Sequence, residues 1–135
     1  MINKTSVLII QEDLNETALI TEKCFEAGIS EKNIFTVTES DSAERYLEIA
    51  GISYVIIDAN MYNYVVEAII DKFSEYFPIQ TIITNSKPEQ KTLRMMNNKT
   101  LTFVESYEEI PQILQRRSAT IVSYPAASNQ SIRNF

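Results

Sequence analysis

Five short apolar runs punctuate the chain: Val7–Ile10, Ile34–Val37, Tyr54–Ile57, Thr81–Ile83 and Leu101–Val104. Each is too short for a helix and rich in β-branched residues. Several are continuous rather than alternating, the pattern of strands buried on both faces of a parallel sheet. Between them the spacing turns helical. In Leu14–Ala27 the residues Leu14, Ala18, Thr21 and Phe25 fall on one face, and Gly28 reads as the stop. Asp41–Ala50 opens on cap-type residues, carries Ala43, Tyr46, Leu47 and Ala50 on a face, and ends at Gly51. Val65–Tyr76 has Val65, Ala68, Ile69 and Phe73 in register and stops before Pro78. Pro88–Asn97 is polar, anchored by Leu93 and Met96, and Glu108–Arg117 has Ile110, Ile113 and Leu114 as its stripe. Pro111 sits early enough there for its missing N–H to cost little.

A strand and a helix thus alternate five times. This predicts an α/β domain over residues 1–117: a five-stranded parallel sheet, doubly wound as (βα)5, with helices on both faces. Residues 118–135 contain no acidic residue and many Ser, Asn and Ala, and read as a flexible tail. Thr120–Tyr124 has the alternative of an added edge strand.

Composition narrows the chemistry. The 135 residues are 44% hydrophobic, enough for one packed core. Twelve Lys+Arg against 18 Asp+Glu give a formal charge of -6, which argues against a nucleic-acid partner held by a basic surface. With no histidine and the single Cys24, a disulfide framework, a zinc site and every Ser-His-Asp or Cys-His mechanism drop out. Cys24 itself reads as an inert core thiol, and Met95 and Met96 as a helix face. No stretch reaches the roughly 20 apolar residues of a membrane span, and Met1–Ser6 lacks a signal-peptide core. The expectation is a soluble, cytoplasmic protein with no membrane contact.

In a doubly wound sheet of order 2-1-3-4-5, ligands bind at the carboxyl ends of the strands, between the first and third. The first run ends Gln11-Glu12-Asp13 and the third ends Asp58-Ala59-Asn60, so carboxylates from two distant segments are expected at one rim. Such a cluster repels itself unless a cation is present, which makes it a candidate Mg²⁺ site. A carboxylate beside Mg²⁺ can also be a nucleophile toward a phosphoryl group.

The segments VLIIQED, YVIIDANM, TIITNS and FVES, in this order and at these separations, resemble the receiver domain of two-component response regulators, the CheY-like fold, from Ser6 to about Arg117. The resemblance implies that Asp58 is the phosphoacceptor. Glu12 would stand at one of two acidic metal positions, and Asn60 would offer its backbone carbonyl to Mg²⁺. It makes Thr84 the hydroxyl that bonds the phosphoryl group and Phe103 the aromatic that changes rotamer with it. The implied partners are a histidine kinase or phosphotransfer protein, a downstream protein and a second copy in a homodimer.

The departures are as informative. Gln11 replaces the other acidic residue, leaving Asp13 to compensate. The lysine that the family places at the end of the fifth strand falls on Ser106, with Glu105 beside it. Lys87 lies on the same rim, Tyr107 stands in place of the usual Pro after the lysine, and Tyr62 where another Pro is usual. Simpler roles stand beside each assignment. Asp58 reads also as a strand-end aspartate capping a loop, Glu12 and Asp13 as charges favouring the next helix dipole, and Thr84 as a strand-end residue. Phe103 reads also as core, and Tyr62, Tyr64 and Tyr76 as partly buried packing residues rather than an exposed contact surface. Two functions follow: a non-enzymatic single-domain receiver phosphorylated on Asp58, or a pseudo-receiver that binds partners without phosphorylation. An aspartate-nucleophile phosphatase would need an acid at Asn60, and a nucleotide site would need more than Gly28 and Gly51.

Overall fold

Valine and isoleucine fill the central strands because these are covered on both faces, where stiff branched side chains pack well on a pleated surface. The computed structural model describes residues 5–49, 51–75, 78–85 and 100–115. Within them lie β1 (Val7–Ile10), α1 (Leu14–Glu26), β2 (Ile34–Val37), α2 (Ala43–Ile49), β3 (Tyr54–Asp58), α3 (Tyr64–Ser74), β4 (Gln80–Thr84) and β5 (Leu101–Val104). A 3₁₀ turn at Tyr107–Glu109 leads into a helix at residues 110–115. The strands form one parallel sheet in the order β2-β1-β3-β4-β5, the doubly wound arrangement expected. The run Pro88–Asn97, Lys87, Tyr76, Met95, Met96 and residues 118–135 lie outside the described residues.

Alternation along each strand divides the core in two. Leu8, Ile10, Val55, Ile57, Ile83 and Phe103 face α2 and α3 with Leu47, Val66 and Ile70. Val7, Ile9, Tyr54, Ile56, Ile82 and Val104 face Ile20 and Cys24 of α1 and Ile110 and Leu114 of the last helix. Burial pushes the Cys24 thiol up to about 12, so it stays protonated and inert.

Two helices are rotated relative to the expectation. On α1, Leu14 is 72% exposed, and Ala18 and Phe25 are exposed too; Ile20, Cys24 and Ala27 are the buried stripe. Both sets have helical spacing. The sheet selects the second, and Thr17 and Thr21 turn their hydroxyls onto the carbonyls of Asp13 and Thr17, four residues back. On α3 the stripe shifts by one residue, to Val66 and Ile70, and leaves Val65 and Ala68 exposed. Tyr62 is buried as expected for a packing residue, but Tyr64 is 80% exposed. The stop at Gly28 holds. With φ +90 it takes the left-handed conformation that lets Ile29 N–H donate to the Cys24 carbonyl and its own N–H to that of Phe25.

Candidate functional site

β1 and β3 are neighbours paired at Ile10 and Ile57, so Gln11-Glu12-Asp13 and Asp58-Ala59-Asn60 leave the sheet at the same rim. β3 and β4 each run one residue further than the apolar pattern implied, and Asp58 pairs in register with Thr84. The two stretches expected to meet therefore share one edge, at the point where the strand order reverses.

Asp58 is 8% exposed and holds hydrogen bonds on both carboxylate oxygens. Oδ2 accepts from the Asn60 backbone N–H at 2.9 Å, a local turn. Oδ1 accepts from the Asn85 side-chain amide at 2.7 Å. Below it, the Ala59 N–H donates to the Thr84 carbonyl at 2.8 Å and ties the tips of β3 and β4 together.

The flanking residues differ in how they are used. Asp13 is the N-cap of α1: its Oδ1 accepts from the backbone N–H groups of Asn15 at 2.8 Å and Glu16 at 3.1 Å. Glu12 and Asn60 are exposed on the rim. Gln11 is 4% exposed; its Oε1 accepts from the Asp13 N–H at 3.0 Å, and its Nε2 has no hydrogen-bond partner among the described residues. The Thr84 hydroxyl, on a residue 1% exposed, is likewise unpartnered among them. A buried polar atom without a partner costs about 1–3 kcal/mol, so two at one edge mark where an acceptor would be favoured. Phe103 is buried in the α2–α3 side of the core.

Ser106 serves the backbone. Its hydroxyl accepts from the Glu108 N–H at 3.1 Å, while the Glu109 carboxylate accepts from the N–H groups of Glu105 and Ser106. This is a capping box, and its Ser-x-x-Glu signature stands in the sequence at 106–109.

Two residues that sequence reasoning did not select complete the picture. Asn85, with φ +61, follows β4 and turns its amide to Asp58 and, at 3.3 Å, to the Tyr107 hydroxyl. Tyr107 donates in turn to Glu16 on α1. Burial and the Glu16 carboxylate together push the Tyr107 phenol up to about 12. Asn85 carried a signal, since asparagine is the common non-glycine choice for the left-handed region. Nothing in the sequence pairs Tyr107 with a residue 91 positions away.

As a cation site the rim is sparse. Among the described residues no three Asp, Glu, Cys or His side chains group together. Two carboxylates, Glu12 and Asp58, with the Asn60 carbonyl, remain a donor set that suits an Mg²⁺ keeping several waters and sharing phosphate oxygens.

No family profile and no curated protein matches the sequence. Solved structures do. A response regulator receiver domain from Rhodospirillum rubrum superposes with a TM-score of 0.55 at 18% identity, covering 87% of this chain and 94% of that one. A signal receiver domain ascribed to a Luxo repressor protein from Vibrio parahaemolyticus gives 0.62 at 14% identity, over 91% and 98%. A de novo designed Rossmann 2x3 protein gives 0.56 at 12% identity, over 96% and 98%. The chain has the fold of response regulator receiver domains. The designed protein shows why fold stops short of function, which must be read from the rim. Among the described residues no helix is long and apolar enough to cross a membrane.

Proposed function

We propose that this protein is a response-regulator receiver that accepts a phosphoryl group on Asp58 and signals through protein contacts in the cytoplasm. The observation that carries the reading is the pairing at the switch point: a nearly buried carboxylate on β3 beside the Thr84 hydroxyl on β4, which has no partner among the described residues. In the transfer, an Asp58 oxygen forms the new O–P bond. The donor's bond to phosphorus breaks, and its electron pair leaves with the donor, a phosphohistidine on a kinase or phosphotransfer protein. Thr84 Oγ1 is a ready donor for a phosphoryl oxygen, and Gln11 Nε2 is a second donor at the same edge that has no partner among the described residues.

Glu12, Asp58 and the Asn60 carbonyl would hold Mg²⁺, which when bound neutralises phosphoryl charge. An amide at Gln11 in place of a carboxylate lowers the negative charge available to hold it. Incubation of the full chain with Mg²⁺ and acetyl phosphate should add one phosphate by intact mass, and none to Asp58→Ala. An unchanged mass at saturating donor overturns the reading.

One observation favours a second reading, a phosphorylation-independent interaction module. Both Asp58 oxygens are already satisfied, and among the described residues no Lys or Arg ion pair reaches them. Partner capture that survives Asp58→Ala supports the module; capture that requires phosphate supports the receiver.

A further inference from the structure

The hydrogen bonds of Asp58 do not end at the rim. Asn85 donates to Asp58 Oδ1 at 2.7 Å and to the Tyr107 hydroxyl at 3.3 Å, using the two hydrogens of one amide. Its opposite orientation would set a carbonyl oxygen against a carboxylate, so the charge of Asp58 dictates which way the amide faces. Tyr107 accepts from Asn85 and donates its own O–H to the Glu16 carboxylate. Two carboxylates on different elements are thereby bridged by two neutral donors.

The far end of this chain lies on a seam. Lys23 of α1 pairs with Glu108, the residue after Tyr107, at 2.9 Å. Further along, Gln115 Nε2 donates to the Glu26 carbonyl at 3.2 Å. Tyr107–Glu16, Lys23–Glu108 and Gln115–Glu26 thus stitch α1 to residues 107–115, and only the first of these also leads to Asp58.

We propose that Asn85 and Tyr107 are positioning residues that fix the Asp58 carboxylate and transmit its state to the seam between α1 and residues 107–115. The inference rests on the reading of Asp58 as acceptor. Once an Asp58 oxygen carries phosphorus, the amide of Asn85 meets a different acceptor. Tyr107 then loses its bond from that amide, and the contact with Glu16 adjusts. The reporting surface is the α1 side of the molecule, away from the core that holds Phe103.

Because Asn85 has a positive φ, Asn85→Gly keeps the backbone and deletes only the amide, whereas alanine there would be strained. Tyr107→Phe removes one hydroxyl. The full chain, carrying ¹³C-labelled tyrosine, is compared as wild type, Asp58→Ala, Asn85→Gly and the double variant. The ring Cζ resonance of Tyr107 is assigned by its loss in Tyr107→Phe. Asp58→Ala should shift this resonance and raise amide exchange severalfold in residues 105–115; in the Asn85→Gly background it should do neither. A resonance that ignores Asp58→Ala, or responds equally in both backgrounds, overturns the relay. Acetyl phosphate loading separates the two proposals. Coupling without phosphate uptake overturns the acceptor role of Asp58 alone, and normal uptake with additive variants overturns the relay alone.

Discussion

The two faces of the sheet are closed by different means. On the α2–α3 face, fifteen buried residues pack together among the described ones, and the exposed pair Lys72–Glu44 at 3.4 Å links the two helices. On the α1 face the apolar cluster of described residues numbers twelve, and polar contacts supplement it: Tyr107 to Glu16, Lys23 to Glu108, Gln115 to the Glu26 carbonyl and Tyr54 to the Ile113 carbonyl. Apolar packing is non-directional and forgiving, so the first face supplies stability. Hydrogen bonds depend on who the partner is, so the second face is able to register a chemical change at the rim.

Substitutions can break or sharpen this contrast. The largest effect belongs to the apolar face. Ile57→Ala, at a fully buried position on β3 next to Asp58, should lower the unfolding free energy by about 2–5 kcal/mol in urea denaturation. A loss near zero would mean that this face is not where stability resides. Tyr107→Phe is intermediate, about 0.5–1.5 kcal/mol near neutral pH.

The Tyr107 effect also carries a pH signature. Burial first, and then the hydrogen bond to Glu16, push the folded phenol up to about 12 from an ordinary value of 10.0, with the Glu16 and Asp58 charges acting in the same direction. A folded value above the unfolded one means that the contribution is fully present below about pH 10 and is lost as pH rises towards 12. Wild type should therefore lose more stability than Tyr107→Phe across that interval, the other six tyrosines cancelling in the difference. Parallel alkaline profiles would contradict the burial and pairing of Tyr107. The smallest effect is Lys72→Ala, which breaks the exposed pair with Glu44 and should change stability by less than about 0.5 kcal/mol. A larger loss would show that the α2–α3 face also depends on specific charge.

The strands were the most legible part of the chain. Val7–Ile10, Ile34–Val37 and Leu101–Val104 coincide with β1, β2 and β5 residue for residue, because short β-branched and aromatic runs between polar segments fit a strand whether, like β1, it is buried throughout or, like the edge strand β2, it leaves Thr36 exposed. Helix faces were less so. Leu14 and Phe25 on α1 and Val65 on α3 belong to stripes with the correct period that the protein leaves exposed. Periodicity specifies a helix but not its rotation about its own axis, which docking on the sheet selects. The rim divides in the same way. That Gln11, Glu12, Asp58 and Thr84 share one edge follows from strand order. The work of Asp13 as an α1 cap and of Ser106 as the cap of 107–109 comes from local hydrogen bonding, and the Ser-x-x-Glu spacing of the second was there to be read.

By itself, the sequence determined the alternation of strands and helices, the switch point between β1 and β3, and the arrival of Asp58 at that edge. These depend on burial and chain order, which a pattern of apolar residues encodes. Only the tertiary structure decided that Asp58 faces the amide of Asn85 and, through Tyr107, the carboxylate of Glu16. Those contacts join residues 27, 22 and 91 positions apart, and hydrogen bonds of that reach are set by how the elements pack, with no periodic trace along the chain.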